Sequence, residues 1–465
     1  MFKNYLKIAL RNFARAKMFS LINLTGLIIG VTVSLHMLVY VLHENGFESF
    51  HQNKNRIYRI AVEWGSDANK MKMAGSMPAL APALNEQIPE VQKAVRVQPV
   101  PDAVVSNRAQ EEFQEAHLFF CDPGLFEIFS FQLKEGTGDE ALREPGSVIL
   151  SESGAKKYFK DESALGQTLF YKNTPLKVAG VFKDQPSNTH LKCELLVSYA
   201  TLESMRQKIE DPWSSWGDDF TYVLLRKGAS MRSLAPKLDA LLLENTGEWF
   251  ASRMDFIIQP LSDIHWNAEL RGDIGPKGNR MYVYIFLSAA ILVLLIASFN
   301  FMNLSTARYL DRMREVGVRK VAGANRAQLI SQFLCESFLL TALSVLIALG
   351  LFEMLAPRFY SYLHTNIVFD ALFFKDFVML SVGLFLFVAL FAGSYPAILL
   401  SHFKPIETLK GSISGKSLKV SFRTYSVIAQ FAISIFLIVS TLLIYRQLHF
   451  MQHSDLGFDK GGVVL

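Results

Sequence analysis

Five long apolar segments constrain the fold of this chain more than any other feature. A helix needs about 20 consecutive apolar residues to cross the hydrocarbon core of a bilayer. Runs of that length occur at about residues 19–42, 281–304, 329–352, 377–400 and 424–445. Only the third run contains a formal charge, Glu336. The sequence therefore predicts a polytopic α-helical membrane protein with about five transmembrane helices.

The composition indicates that a globular part accompanies the apolar runs. Apolar residues make up 51% of the chain and charged residues 19%, which is below the roughly one quarter expected of soluble domains. This composition excludes a disordered or nucleic-acid-coating protein, and a net charge of +5 is too small to imply a nucleic-acid partner. Three cysteines cannot form a disulfide framework, and Cys121 and Cys193 could pair or stay free.

Basic residues flank the apolar runs on alternating sides. Residues 1–18 contain five lysines and arginines and no acid, and the segments 305–328 and 401–423 are also basic. Because short cytoplasmic segments carry the excess of lysine and arginine, we expect a cytoplasmic N-terminal segment and residues 43–280 on the outside. The first run lacks a small-residue cleavage site, so it is predicted to be an uncleaved transmembrane helix, at 19–42, and not a signal peptide.

Residues 43–280 have the pattern of a large mixed α/β extracytoplasmic domain. Strands are predicted at 56–63, 91–97, 147–150, 176–182 and 255–261, and helices at 78–88 and 230–250. The second helix places one apolar face toward a core, formed by Met231, Leu234, Leu238, Leu241 and Leu242. Trp213 and Trp216 could grip a partner, but ordinary packing is the favoured interpretation.

A short internal repeat suggests a second domain. The first run is followed by Asn45-Gly46-Phe47-Glu48, and the fifth, at 424–445, by Leu456-Gly457-Phe458-Asp459-Lys460. Internal repeats indicate duplicated structural units. We therefore expect residues 411–423 to be a cytoplasmic linker and residues 446–465 to begin a second outside domain, which makes the chain a fragment or a truncated product.

The sequence gives little support for a common catalytic or metal-binding motif. The run 411–417 resembles a phosphate loop but has three residues between its glycines where the motif needs four. His449 and His453 are four apart, but no third ligand accompanies them, so no metal site is predicted.

Polar groups inside the apolar runs are functional hypotheses by default. His36, Asn300, Asn303, Glu336 and Gln430 are the ones singled out. A proton relay would need several acids at depth, so Glu336 is interpreted as structural. Gly26 and Gly30 form a G-x-x-x-G pattern, which permits close packing between membrane helices.

The segment 307–326, between the second and third runs, has an ordered pattern. Acidic and basic residues alternate along a predicted helix that Gly323 breaks. The simplest interpretation is a basic membrane flank, but a flank needs only charge and does not explain the placed glycines.

These residues resemble the hallmark of the FtsX-like permease family of ABC transporters. The resemblance is strongest in Arg314-Glu315-Val316-Gly317-Val318-Arg319-Lys320-x-x-Gly323-Ala324 and extends to 300–307, 332–337, 393–397 and 403–411. Residues 122–129 and 180–186 are similar to the MacB-like periplasmic core domain. One branch of the family carries two copies of the span–domain–three-span unit, and this chain resembles the first copy and the opening of the second.

The resemblance implies a permease subunit that is not itself an enzyme. A separate ABC ATPase would bind ATP and Mg, this chain would bind no cofactor, and ATP hydrolysis would move the periplasmic domain to export or extract a substrate. Residues 43–280 would be the MacB-like periplasmic core domain and 281–410 the FtsX-like permease domain. The ATPase-coupling segment would comprise Arg312, Arg314, Glu315, Gly317, Arg319, Lys320, Gly323 and Ala324.

The implied location is the cell inner membrane, with the lipid bilayer, the ATPase, and a second permease half or a periplasmic or outer-membrane protein as partners. Two alternatives stay open, an FtsX-type regulator of cell-wall hydrolases and a membrane signal receptor. The sequence leaves open the substrate and the oligomeric state.

Overall fold

The computed structural model of the chain describes residues 11, 17–66, 69–206, 211–215, 219–307, 316–363, 365, 367–368, 371–401 and 418–453. The chain divides into two compact units. The membrane unit comprises Met1–Leu42 and Met281–Leu465, and the α/β unit comprises His43–Arg280. Trp216 and the repeat segment at 456–460 lie outside the described residues, as does the glycine-containing run 411–417.

Five long helices form the described part of the membrane unit. They are α1 Lys17–Asn45, α9 Arg280–Ala307, α10 Arg326–Tyr362, α11 Ala371–Ser401 and α12 Leu418–His453. The last three residues of α1 and the first residue of α9 belong to the α/β unit. Each contains a stretch that is long and apolar enough to cross a membrane. The helices are longer than the apolar runs, since the helical backbone continues into polar residues at one or both ends of each run.

Four of these helices share a core. Leu27 of α1, Leu294 of α9, Leu340 of α10 and Val388 of α11 belong to one buried apolar cluster. In contrast, the apolar window of α12 has no buried residues among those described. A membrane helix of this kind has its apolar surface available for lipid or for further protein.

The α/β unit contains thirteen described strands in one sheet. The strands are β1 Ile57–Trp64, β2 Met71–Met73, β3 Val91–Val100, β4 Ala103–Ser106, β5 Glu112–Glu115, β6 Leu118–Cys121, β7 Leu133–Gly136, β8 Ser147–Ser151, β9 Thr168–Tyr171, β10 Thr174–Phe182, β11 Leu195–Ser198, β12 Phe220–Leu225 and β13 Met254–Pro260. The order is β13-β1-β12-β3-β6-β11-β8-β10-β9-β4-β5, with β2 beside β1 and β7 beside β10.

In the described part of this unit, seven short α-helices cover the sheet or connect its strands. They are α2 Leu80–Gln87, α3 Leu125–Ile128, α4 Glu152–Phe159, α5 Tyr199–Met205, α6 Met231–Thr246, α7 Glu248–Ala251 and α8 Leu261–Ile264. Successive strand residues point to opposite faces, so Tyr222 and Val223 of β12 enter different cores. Leu84 of α2 and Leu238 of α6 pack in the core that contains Val223.

The structure confirms the predicted fold class, with five candidate membrane helices and a mixed α/β domain between the first two. Each predicted strand and helix of the α/β unit has an observed counterpart, although Met231 is only half-buried on its helix face. Trp213 packs, partly buried, against two apolar clusters. Cys121 and Cys193 are buried, free thiols.

Candidate functional site

The coupling segment is described from Val316 onward. Arg312, Arg314 and Glu315 lie outside the described residues, so their prediction is untested. Residues 316–321 form a short helix that contains Gly317, Arg319 and Lys320, and Gly323 and Ala324 form the turn after it.

This short helix is attached to the start of α10 by one apolar and one polar contact. Val316 is buried in a cluster with Leu329 and Phe333 of α10. The Arg319 guanidinium donates a hydrogen bond to the Gln332 side-chain carbonyl. Because Val316 and Arg319 are three apart, they lie on neighbouring positions of one helix face. That face therefore packs against α10.

Gly323 ends the short helix in a left-handed conformation, with φ of 93°. The Ala324 N–H donates to the Arg319 carbonyl at 2.9 Å, and the Gly323 N–H donates to the Lys320 carbonyl at 3.1 Å. Left-handed glycines close helix C-termini in this way. A Cβ on Gly323 would have no described atom within 4 Å. Its backbone angle, and not a close approach within this chain, therefore explains the glycine.

Helix α10 begins directly after that turn with a capping box. The Asn325 side chain accepts a hydrogen bond from the Gln328 N–H at 2.9 Å, and the Gln328 side chain accepts one from the Asn325 N–H at 3.1 Å. Reciprocal caps satisfy donors that the first turn leaves unpaired. The coupling segment is thus joined to α10 by a short turn with defined hydrogen bonds at both ends.

The opposite face of the short helix is exposed. Val318 is 62% and Val321 67% accessible to solvent. Neighbouring apolar side chains on a basic helix form a surface on which another protein can dock, since their burial against a partner is favourable. The arrangement therefore combines one face packed on a membrane helix with another open to a partner.

The two predicted packing glycines lie against α9. A Cβ on Gly30 would come within 2.6 Å of the Ala297 Cβ, and a Cβ on Gly26 within 3.0 Å of Asn300 Nδ2. The backbones of α1 and α9 approach each other closely at these positions, as small residues permit.

The other polar groups of the membrane unit have structural surroundings. The Asn303 side chain accepts a hydrogen bond from Ser426 at 2.8 Å and donates one to Gln430 at 3.5 Å, which links α9 to α12. His36 is packed among the rings of Phe352 and Phe359.

Glu336 of α10 is buried, and the rings of His449 and His453 stack within α12. Among the described residues, no group of three or more histidine, cysteine, aspartate or glutamate side chains could hold a metal ion.

Sequence reasoning missed a buried polar cluster in the α/β unit. The Glu48 carboxylate accepts hydrogen bonds from the backbone N–H and the Nδ1–H of His190, at 2.6 and 2.8 Å, and from the Thr189 hydroxyl at 3.2 Å. His51 Nε2 lies 3.1 Å from the same carboxylate. The Tyr222 hydroxyl then donates to His190 Nε2 at 2.7 Å, which extends the chain of hydrogen bonds into β12.

The charge states in this cluster follow from its surroundings. Burial opposes ionisation of Glu48, but the contacts with His190 and His51 outweigh it and hold the pKa of that carboxyl well below its usual range. Burial lowers the pKa of His190. A neutral His190 that donates from Nδ1 and accepts at Nε2 matches both of its observed partners.

Two further buried pairs lie in the same unit. Arg59 of β1 donates two hydrogen bonds to the Asp273 carboxylate, at 2.5 and 2.8 Å, and Lys277 contacts that carboxylate as well. Glu44 Oε2 lies 2.9 Å from His265 Nε2. The only sequence signal was the repeated G-F-acid pattern that contains Glu48, and spacing alone did not connect it to His190.

Two family models match the chain. One describes the MacB-like periplasmic core domain and matches residues 20–241. The other describes the FtsX-like permease C-terminal domain and matches residues 287–405.

Relatives that match this chain are also named as ABC transporter permeases or export permeases. The uncharacterized ABC transporter permease YknZ of Bacillus subtilis is 26% identical over 250 residues, which are 52% of this chain and 58% of that protein. The macrolide export ATP-binding/permease protein MacB of Aggregatibacter actinomycetemcomitans is 25% identical over 250 residues, which are 51% of this chain and 34% of that protein. The chain thus covers less than two thirds of the length of either relative.

Among solved structures, the periplasmic region of MacB from Actinobacillus actinomycetemcomitans aligns with 44% of this chain and 89% of its own, at 20% identity and a TM-score of 0.33.

Proposed function

The chain belongs to the family of ABC transporter permeases that combine a MacB-like periplasmic core domain with an FtsX-like permease domain, and we propose that it couples ATP hydrolysis to movement of its α/β unit. A separate ATPase binds ATP and Mg and closes on the cytoplasmic coupling segment. The α/β unit, on the periplasmic side of the inner membrane, then moves to export or extract a substrate.

The observation that carries this proposal is the two-faced helix at residues 316–321. Val316 and Arg319 pack against α10, while Val318 and Val321 are exposed. A partner that pushes on the exposed face moves α10 as well, because the connecting turn is hydrogen-bonded at Gly323 and capped at Asn325. Force transmission needs a short, well-ordered connection of this kind.

The charges of the coupling segment also support contact with a partner. Glu315 and Arg319 are four apart, so in a continuous helix they share a face and can pair with each other or with the ATPase. In this proposal Arg312 and Arg314 add positive charge for the partner, and Lys320 does the same from the described part of the segment. The name of the MacB relative combines an ATP-binding part with the permease, which also supports an ATPase as the partner.

The test is a pull-down of the chain from native membranes in mild detergent, with ATPase activity assayed in the eluate. The wild-type chain is expected to bring down an ATPase. Glu315→Lys and Arg319→Glu are expected to lose most of that activity, since each reverses a charge on the coupling segment.

Glu353→Lys and Arg358→Glu are matched controls, because they reverse exposed charges near the C-terminal end of α10, outside the coupling segment. They should retain the ATPase. An eluate without ATPase activity from the wild-type chain would overturn the permease role, and equal loss in all four variants would remove the coupling assignment.

A further inference from the structure

The chain enters the α/β unit at His43 and leaves it at Arg280. We call residues 43–51 the entry segment and residues 263–280 the exit segment. Helix α1 continues to Asn45 and helix α9 begins at Arg280. These two segments are therefore the covalent connections through which a movement of α1 or α9 reaches the sheet.

Both segments contact one loop, residues 187–190, which we call the bridging loop. The Glu48 N–H donates to the Asn188 carbonyl at 3.0 Å, and the Asn188 side chain donates to the Gly46 carbonyl at 2.7 Å. From the exit side, a Cβ on Gly275 would lie 2.3 Å from the His190 carbonyl oxygen. Gly275 has φ of 78°, so both its conformation and its space require glycine.

The two segments also contact each other. The carboxylate of Glu44 meets His265, and the ring of Phe47 stacks on the ring of His265 with centroids 3.4 Å apart. Gly278 lies beside this pair, since its Cβ would fall 2.2 Å from His265 Nε2. Entry segment, exit segment and bridging loop therefore form one junction, and its centre, which includes Phe47, Glu48, His190 and His265, is buried.

We propose that Glu48 is a positioning residue that fixes this junction to the sheet, so that movement of the membrane helices is delivered to strands β1 and β12. The Glu48–His190–Tyr222 chain anchors the entry segment to β12, and the Asp273–Arg59 pair anchors the exit segment to β1. The two strands are hydrogen-bonded neighbours, with Arg59 opposite Tyr222. This inference rests on the proposed coupling function.

The local backbone supports a positioning role for Glu48. Its φ is 58°, in the left-handed region that residues with a Cβ rarely adopt. Such a conformation costs free energy and persists where the surroundings determine it. Here it directs the carboxylate at the donors of Thr189 and His190.

The contacts at the site match a carboxylate. Each oxygen of Glu48 faces donors, with His190 on Oε1 and with Thr189 and His51 on Oε2. A glutamine that keeps its oxygen on His190 would place its NH2 group against Thr189 and His51, so the Thr189 hydroxyl must turn to accept and the N–H of His51 Nε2 faces another donor. Glu48→Gln therefore loosens the junction while keeping the volume of the side chain.

A matched control exists at Glu115 of β5. Its carboxylate is also buried, accepts a hydrogen bond from the Tyr158 hydroxyl and contacts Lys157. Strand β5 is at the opposite edge of the sheet from β13. Glu115→Gln thus removes a buried charge from the same unit without touching the junction.

The experiment uses the full chain with its ATPase in nanodiscs. One spin label is placed on each unit, through Val104→Cys and Met354→Cys at exposed positions, in a chain with Cys335→Ser. The distance distribution between the labels is measured with and without ATP. Unfolding of the α/β unit is followed separately by tryptophan fluorescence, because all five tryptophans lie within residues 43–280.

We expect ATP to shift the distance distribution in the parent chain and in Glu115→Gln. Glu48→Gln should lose the shift while its ATPase still binds and hydrolyses ATP. A shift that survives in Glu48→Gln would overturn the positioning role. Loss of the shift in Glu115→Gln to the same degree would reduce Glu48 to an ordinary stabilising residue. A parent chain without any shift would instead overturn the proposed function.

If Glu48→Gln does not fold, a second variant tests the same inference. Asp273→Asn weakens the other anchor, because its NH2 group replaces one of the two carboxylate oxygens that accept hydrogen bonds from Arg59. It should also lose the ATP-dependent shift, and a normal shift in a folded Asp273→Asn chain would contradict the inference.

Discussion

Asp219 shows how one buried carboxyl contributes to the pH dependence of the α/β unit. The side chain is fully buried, and its Oδ2 has no hydrogen-bond partner among the described residues. The Tyr199 hydroxyl donates to Oδ1 at 3.0 Å. Burial raises the pKa of Asp219 to about 6 from 3.8, against the opposing effects of Tyr199 and Arg96.

Asp219→Asn is expected to stabilise the chain above pH 6. The folded unit holds the Asp219 proton more tightly than the unfolded chain, so the stability contributed by Asp219 is full below about pH 4 and is lost as the pH rises toward 6. A shift of two pKa units corresponds to about 3 kcal/mol at most. Tryptophan fluorescence in denaturant, measured across this pH range, should show a flatter stability profile for the variant.

Asp211→Asn is the control. Hydrogen bonds from Ser214 and the Trp213 N–H lower the pKa of Asp211, so its contribution is lost only below the range where Asp219 acts. It should leave the slope between pH 4 and 6 unchanged. If Asp219→Asn instead destabilises the chain at pH 7, the interactions that stabilise the ionised Asp219 carboxylate outweigh the free-energy cost of burying its charge.

At the residue scale, spacing could not predict the contact between Glu48 and His190. They are 142 positions apart, and helix or strand periodicity reports only on neighbours in the same element. The pair Glu48 and His51 has a local spacing of three, yet polar residues at that spacing usually remain solvated. The partners become evident only when the fold joins the entry segment to the bridging loop.

At the element scale, hydropathy predicted the membrane helices because their signal is long and nearly free of charge. The short strands β6, β11 and β12 escaped prediction. Their residues are all buried, so they show no alternation between apolar and polar positions. The turn at Gly323 was predicted as a break, whereas its left-handed angle required the structure.

Close packing between α1 and α9 gives an element-scale prediction. Gly30→Ala places a Cβ within 2.6 Å of the Ala297 Cβ, and overpacking of this kind costs about 1–3 kcal/mol. The variant should unfold at a lower temperature when its helical signal is followed by far-UV circular dichroism in detergent.

Gly350→Ala tests whether the effect comes from packing. Gly350 is an exposed glycine of α10, and a Cβ there has no described atom within 4 Å. Alanine is also the better helix former by about 1 kcal/mol. This variant should be neutral or slightly stabilised, and a loss equal to that of Gly30→Ala would argue against close packing at Gly30.

At the scale of the whole molecule, the two units have separate apolar cores. Units with their own cores can unfold in separate transitions. Because every tryptophan lies in the α/β unit and the long helices dominate the circular dichroism, two optical signals can follow the two units within one intact chain. We therefore expect the fluorescence and helical transitions to occur at different temperatures.

The cysteines give an independent measure of the same behaviour. Cys121 and Cys193 are buried in the α/β core, and burial raises the pKa of both thiols. Since the thiolate is the reactive form, both should resist maleimide labelling in the folded chain and react together as fluorescence reports unfolding. Mass spectrometry distinguishes them from Cys335, whose partial exposure in α10 belongs to the other unit. Coincident transitions by fluorescence, circular dichroism and labelling would show one cooperative molecule, and early labelling of Cys121 would contradict a buried core there.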